Sequence, residues 1–239
     1  MNQLSDDELQ VNLDPKPWNI SGYTKLPAGQ FFQDLNIDGM VVFDGDFECD
    51  NLHGNGLARA KGNLLLHGNL SYDGAFIGKG NLQCEENVSI SGLVRVQDKI
   101  LVQKSLRIGG SFKSGNDISI TENASFEGST KIKGNLIAGQ NVTFSGRTIV
   151  KGNINARTIK FSEQINPRSF FHLKSKIYGN LYASETLELH NCIIKGKIEA
   201  KNVILGENTI VKGTITYSKS ISKASKVRIS QTPIQKALD

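Results

Sequence analysis

The chain has 239 residues, 38% of them hydrophobic, and carries 28 Lys and Arg against 23 Asp and Glu, a net charge of +5. Its longest apolar runs, such as 40–43, are far too short to cross a bilayer, and residues 1–13 are acidic and polar rather than a charged-then-apolar leader. Cys49, Cys84 and Cys192, odd in number and widely spaced, give neither a disulfide framework nor a paired metal spacing, so a reducing cytoplasm is the expected setting.

Residues 1–33 lack the repeat that governs the rest of the chain. They contain Pro15, Pro17 and Pro27 with Trp18, Phe31 and Phe32, and we read them as an N-terminal tail or cap whose aromatics cover the first rung. The repeat opens with 39–43 and 45–49, slips phase near Leu52, and becomes strict from Gly62. Steps of six then land on Gly68, Gly74, Gly80, Gly92, Gly110, Gly128, Gly134, Gly146 and Gly152. Two places after this phase stand apolar residues such as Leu64, Phe76, Val88, Ile100, Phe112 and Ile118, broken only by Thr130 and Thr148. Four places after it stand Leu66, Tyr72, Ile90, Val102, Phe126 and Phe144, with Gly78 and Ser114 as exceptions.

The unit is therefore Gly-x-apolar-x-apolar-x. Alternate residues of a strand face opposite ways, so the apolar pair points inward and the x positions outward. Spacing of i, i+2 with a Gly in every unit excludes a helix. The frequent Gly-Asn pairs (62–63, 68–69, 80–81, 134–135, 152–153) are expected to supply positive φ at corners. Three units close an 18-residue triangle. After Phe161 the period becomes 17, as Gly179, Gly196 and Gly213 show, and Leu181, Ile198 and Ile215 keep step with them.

These signals predict an all-β fold: a single-stranded triangular β-helix over 34–217, of roughly ten rungs and about 50 Å at the spacing of paired strands. Residues 163–176 exceed the rung count by about ten and are read as a loop extruded from a corner. Residues 218–239 are read as a last partial coil and a C-terminal tail.

Charge is uneven along the chain. Residues 1–149 carry 13 Lys and Arg against 17 Asp and Glu, and 150–239 carry 15 against 6. The acids are densest at Asp34, Asp38, Asp44, Asp46, Glu48 and Asp50, with no base among them in the sequence. A solvated surface explains this most simply; complementary ends, or a face for an anionic partner, are the sharper reading.

Little in the sequence carries catalytic chemistry. His53, His67, His172 and His190 share no metal-ligand spacing, and Cys49 and Cys84 fall on inward columns. No Gly-x-Ser-x-Gly elbow or phosphate-binding loop occurs. Hexapeptide acyltransferases also use 18-residue coils, but there an aliphatic residue directly precedes Gly, whereas here two positions separate them. An acyltransferase using His172 is the weakest alternative. No enzyme activity, catalytic residue, cofactor or metal is expected.

The units at 134–138, 152–156 and 196–200, alternating with 141–146 and 202–205, resemble the bactofilins, polymer-forming bacterial cytoskeletal proteins. The resemblance covers about 35–217. It implies a right-handed helix that assembles without nucleotide into filaments through its terminal rungs, serving cell shape, envelope growth or motility. The chain itself is then the main partner, with the inner membrane surface or envelope and motility proteins as further contacts. Two departures stand out, a rod longer than the usual family core and the loop at 163–176; in addition, 1–13 is a poor match to the short apolar membrane-targeting tail of many members. Val41 and Phe43 at one end, and Ile215 and Tyr217 at the other, continue the inward columns without a neighbour on one side and are the expected polymerisation interface. A soluble scaffold or a nucleic-acid-binding rod using the basic C-terminal half is the runner-up, with nucleic acid the less expected partner.

Overall fold

The computed structural model describes residues 16–162 and 174–237. The described residues form parallel strands wound into one solenoid of about 12 turns, with no helix among them. A single register column passes through Trp18, Leu35, Leu52, Leu70, Val88 and Leu106. It continues through Ala124, Val142, Ile159, Leu187, Val203 and Ile221. Each turn has three sides with two inward residues apiece: Val88 and Ile90 on the first, Val94 and Val96 on the second, Ile100 and Val102 on the third.

The hexad logic explains this shape. Each side is long enough for one inward pair, and the pair is buried only because the turns above and below cover it. Phe112, Phe126, Phe144 and Phe161 form a continuous stack through the core, with ring centroids 4.6–5.2 Å apart. The residues that break the sequence pattern still point inward. Ser114 donates to the carbonyl of Asn116 at 2.8 Å and Thr148 to that of Gly146 at 3.2 Å, so both hydroxyls are satisfied without leaving the core.

The rod is longer than its repeat suggests. Trp18–Phe31 is a strand that pairs in parallel with 35–49, Gly22 lying beside Gly39. Its Pro27 sits at a register shift, where a missing N–H costs no regular ladder bond. At the other end Ile215–Lys223, Arg228–Ile229 and Ile234–Gln235 complete a further turn. Ser175–Ile177 is a strand, so the expected loop at 163–176 gives up its last two residues to the rod. Of the remainder, 163–173 lie outside the described residues and Lys174 leads into the strand. The turn that contains it pairs Ile154 with Leu181, 27 residues on, where its neighbours step 17 or 18.

The Gly-Asn corners work differently from the expectation. None of Gly62, Gly68, Gly80, Gly134 and Gly152 has positive φ; the left-handed glycines include Gly39, Gly56, Gly74, Gly92 and Gly128, stacked at the corner between the first and second sides. At the Gly-Asn corners the constraint is space. A Cβ on Gly80 would lie 2.6 Å from the carbonyl carbon of Gly62 one turn below. The Asn residues have their own task. The side-chain oxygen of Asp46 accepts the backbone N–H of Asn63 (2.7 Å), that of Asn63 the N–H of Asn81 (2.9 Å), and that of Asn81 the N–H of Lys99 (3.2 Å). A similar ladder climbs the same corner through Asp117, Asn135, Asn153 and Asn180 to Lys197. Backbone donors at a corner have no strand partner, and these side chains satisfy them from the adjacent turn.

Two glycines separate these effects. Gly92 has φ 140° and an added Cβ would run into the carbonyl oxygen of Gly74, whereas Gly78 points inward and a Cβ there would meet Phe76 and Val96 at 3.7–3.9 Å, ordinary contact. Thermal melts should show Gly92→Ala destabilised by about 1–3 kcal/mol, and Gly78→Ala unchanged or stabilised by up to about 1 kcal/mol. Equal effects at the two sites would contradict the stacking geometry.

Candidate functional site: rod ends and outward columns

The cysteines and histidines were the first chemical candidates. All three thiols are free and buried; burial pushes Cys49 up to about 12 and also raises Cys84 and Cys192, so none is a ready nucleophile. No group of three metal-binding side chains converges among the described residues. His172 lies outside the described residues. His53 is a half-buried outward residue of the first side, between Asn36 and Ser71.

His67 joins three turns. Its Nε2 lies 2.6 Å from Glu48 Oε1 and its Nδ1 3.2 Å from Glu85 Oε2, while Gln30 donates to the other oxygen of Glu48 at 2.7 Å. Phe32 stacks over the imidazole at 6.5 Å. Hydrogen bonding to Glu48, and then to Glu85, raises the His67 pKa, and the bond from His67 lowers that of Glu48. The acidic patch seen in the sequence is thus partly neutralised across turns, Asp44 likewise taking Lys25 and Lys61, each at 2.5 Å.

The expected polymerisation residues do not stand at the ends. Val41 and Phe43 are wholly buried because Thr24 and Leu26 of the preceding turn lie over them. Ile215 is also wholly buried; Tyr217, with Gln235 stacked beside it, is partly exposed. The ends lie one turn further out, and they differ. At the N-terminal end Ile20 and Leu26 are closed from solvent although Trp18 is 39% exposed, and the outermost strand carries Pro27, a register shift and Lys25, features that blunt an edge against pairing. At the C-terminal end the inward residues Ile221, Val227 and Ile229 are only partly buried, while Ile234, 55% exposed, pairs with Thr216 on an outward column. Val203 and Val211, one turn inside Ile221 and Ile229, are fully buried. Among the described residues the outer edge of each terminal turn has no strand partner.

The sides also differ, which reading charge along the chain did not reveal. On the second side the central outward column begins Lys25, Val42, Arg59, Ile77, Arg95, Lys113 and Lys131. It continues with Ile149, Lys176, Ile193, Ile210 and Arg228. Every charged member is a cation. The flanking column at the end of this side adds Lys61, Lys79, Lys133, Lys151, Lys195 and Lys212, all exposed, with Asp44 its one acid among the described residues. Taking every third hexad of the sequence would have exposed this column.

Comparison of the chain with protein-family models, with curated proteins and with solved structures finds no match. No helix among the described residues is long and apolar enough to cross a membrane.

The His67 cluster gives a pH test. The raised His67 pKa means its contribution is complete below about 6.5, the free value, and is lost as pH rises through the folded value. The lowered Glu48 pKa means its contribution is complete above about 4.5 and is lost as pH falls through the folded value. The difference in melting temperature between the native chain and His67→Gln should therefore be greatest between these limits and shrink on both sides. A difference independent of pH would show that His67 contributes by packing alone.

Proposed function

We propose that this protein is a structural rod that self-assembles end to end, without nucleotide, into filaments that scaffold the cell's shape, envelope or motility machinery. The observation that carries the reading is the open C-terminal turn. Its inward positions Ile221, Val227 and Ile229 are partly exposed, so apolar surface and an unpaired strand edge coincide among the described residues. Stacking another turn on this end removes that surface from water and supplies the missing backbone partners at once. The resemblance of the repeat to the bactofilins leads to the same function and implies the right-handed winding.

The ends being unlike, two arrangements follow. If C-terminal ends meet, the contact is self-complementary, and growth beyond a pair requires a second contact between N-terminal ends. If C-terminal end meets N-terminal end, a single contact propagates. Lys219, Lys223, Lys226 and Arg228 surround the C-terminal end, so a pairing of like ends brings cations together and is eased by salt, whereas contact with the acid-bearing N-terminal turns is weakened by it.

Electron microscopy and pelleting of the purified chain without nucleotide should show filaments. Ile221→Lys with Ile229→Lys should give a folded, soluble rod with at least about a tenfold loss of pelletable polymer, since the interface loses its apolar centre. Filaments of normal length and amount from that variant would remove the C-terminal turn from the interface.

A further inference from the structure

We propose that the second side of the rod is a docking face for an anionic lipid surface. The inference stands apart from filament formation, which uses the ends.

Three observations carry it. Arg59, Arg95, Lys113, Lys131, Lys176 and Arg228 project from one continuous parallel sheet, all exposed, and among the described residues none has an ion-pair partner. Elsewhere on the rod some cations are matched, Lys104 with Glu86, Arg107 with Glu127, Lys160 with Glu188 and Lys201 with Glu185, while scattered ones such as Lys99 and Lys197 have no ion-pair partner among the described residues. What sets the second side apart is that its cations fall in one column without an acid. Repulsion along an unneutralised column works against the fold, and a polyanionic partner relieves it.

The second observation is what lies between the cations. Ile77, Ile149, Ile193 and Ile210 occupy the same outward column, half-buried, and Leu57 and Leu93 line the corner beside it. Cations alternating with aliphatic side chains match the headgroup boundary of a bilayer, where charge meets phosphate and short apolar groups enter the interface. Single-stranded nucleic acid is bound on aromatic platforms; this column contains no aromatic residue, and Tyr178 on the flanking column is covered by Lys195, 4.3 Å from its ring centre.

The third is register. The shifts between neighbouring turns occur where one side passes to another, as between Pro27 and Gly29 or Ala156 and Thr158, while pairing along the second side keeps one register from Lys25 to Arg228. The cations therefore form one continuous row along the rod's length, suited to an extended partner that meets this side.

The test is flotation of the full chain with vesicles of phosphatidylcholine alone or of phosphatidylcholine with phosphatidylserine. The native chain should float only with the anionic vesicles and be released by high salt. The triple variant Arg95→Glu, Lys113→Glu, Lys131→Glu should lose at least about tenfold in partitioning, against less than about twofold for Arg107→Glu, Arg157→Glu, Lys219→Glu, which changes net charge equally on other parts of the surface. If the first triple melts early, the corresponding Gln triple supplies the comparison, with the same direction expected. Equal losses in the two triples would reduce the effect to net charge and overturn the proposal. So would absence of flotation, or preference for duplex DNA over anionic vesicles in direct competition at the same salt.

Discussion

The structure depends on one constraint: each turn must lie in parallel register on the turn before it, at the spacing of hydrogen-bonded strands, about 4.8 Å. No turn has a core of its own. Its inward pairs are covered only by equivalent pairs above and below, and its corners must bring backbone against backbone. Gly80 over Gly62 and Gly92 over Gly74 are the direct result, because a Cβ at either position would occupy space already filled by the neighbouring chain. The Asn ladders follow from the same spacing, since a side chain one residue long reaches the N–H of the next turn and satisfies a donor that a corner leaves behind.

Much of this was legible in the amino-acid sequence because a period of six is a strong signal and each step reports the same geometry. The inward columns could be written down residue by residue, and even Thr148 and Ser114, which break the apolar rule, keep their inward places. Other features were not legible, for physical reasons. Trp18–Phe31 forms a turn while carrying few of the repeat's apolar pairs and a proline, which the fold accepts because that strand is paired on one flank and bulged at Pro27. The assignment of positive φ to Gly-Asn corners failed because glycine serves two purposes in such a rod. Left-handed backbone is one, close approach is the other, and the sequence symbol is the same for both. The same displacement by one turn explains why Val41, Phe43 and Ile215 are buried rather than terminal.

Stacking also converts a linear sequence into surface columns, and this is where chemistry became visible. Charges that alternate in sequence separate in space, so a chain of modest net charge gathers many of its unmatched cations on one side while other parts of its surface pair some of theirs. Ends and sides are then independent surfaces. Apolar area and open backbone lie at the C-terminal turn, and an acid-poor, aliphatic-spaced column runs along the second side. On the proposed reading such a rod joins other rods along its axis while holding a partner along its length, the two contacts sharing only Arg228 at the last turn.

All of these surfaces presuppose that register is kept through the whole rod, including the turn that contains 163–173. Ser71 and Ser222 lie on one outward column, separated by eight turns that span this insertion. With the buried cysteines protected or replaced, spin labels at these two positions and a pulsed dipolar measurement read the separation directly. In-register stacking predicts a single narrow distribution centred near ~38 Å, eight strand spacings of about 4.8 Å. A broad distribution, or a centre displaced by about two spacings or more, would contradict the account.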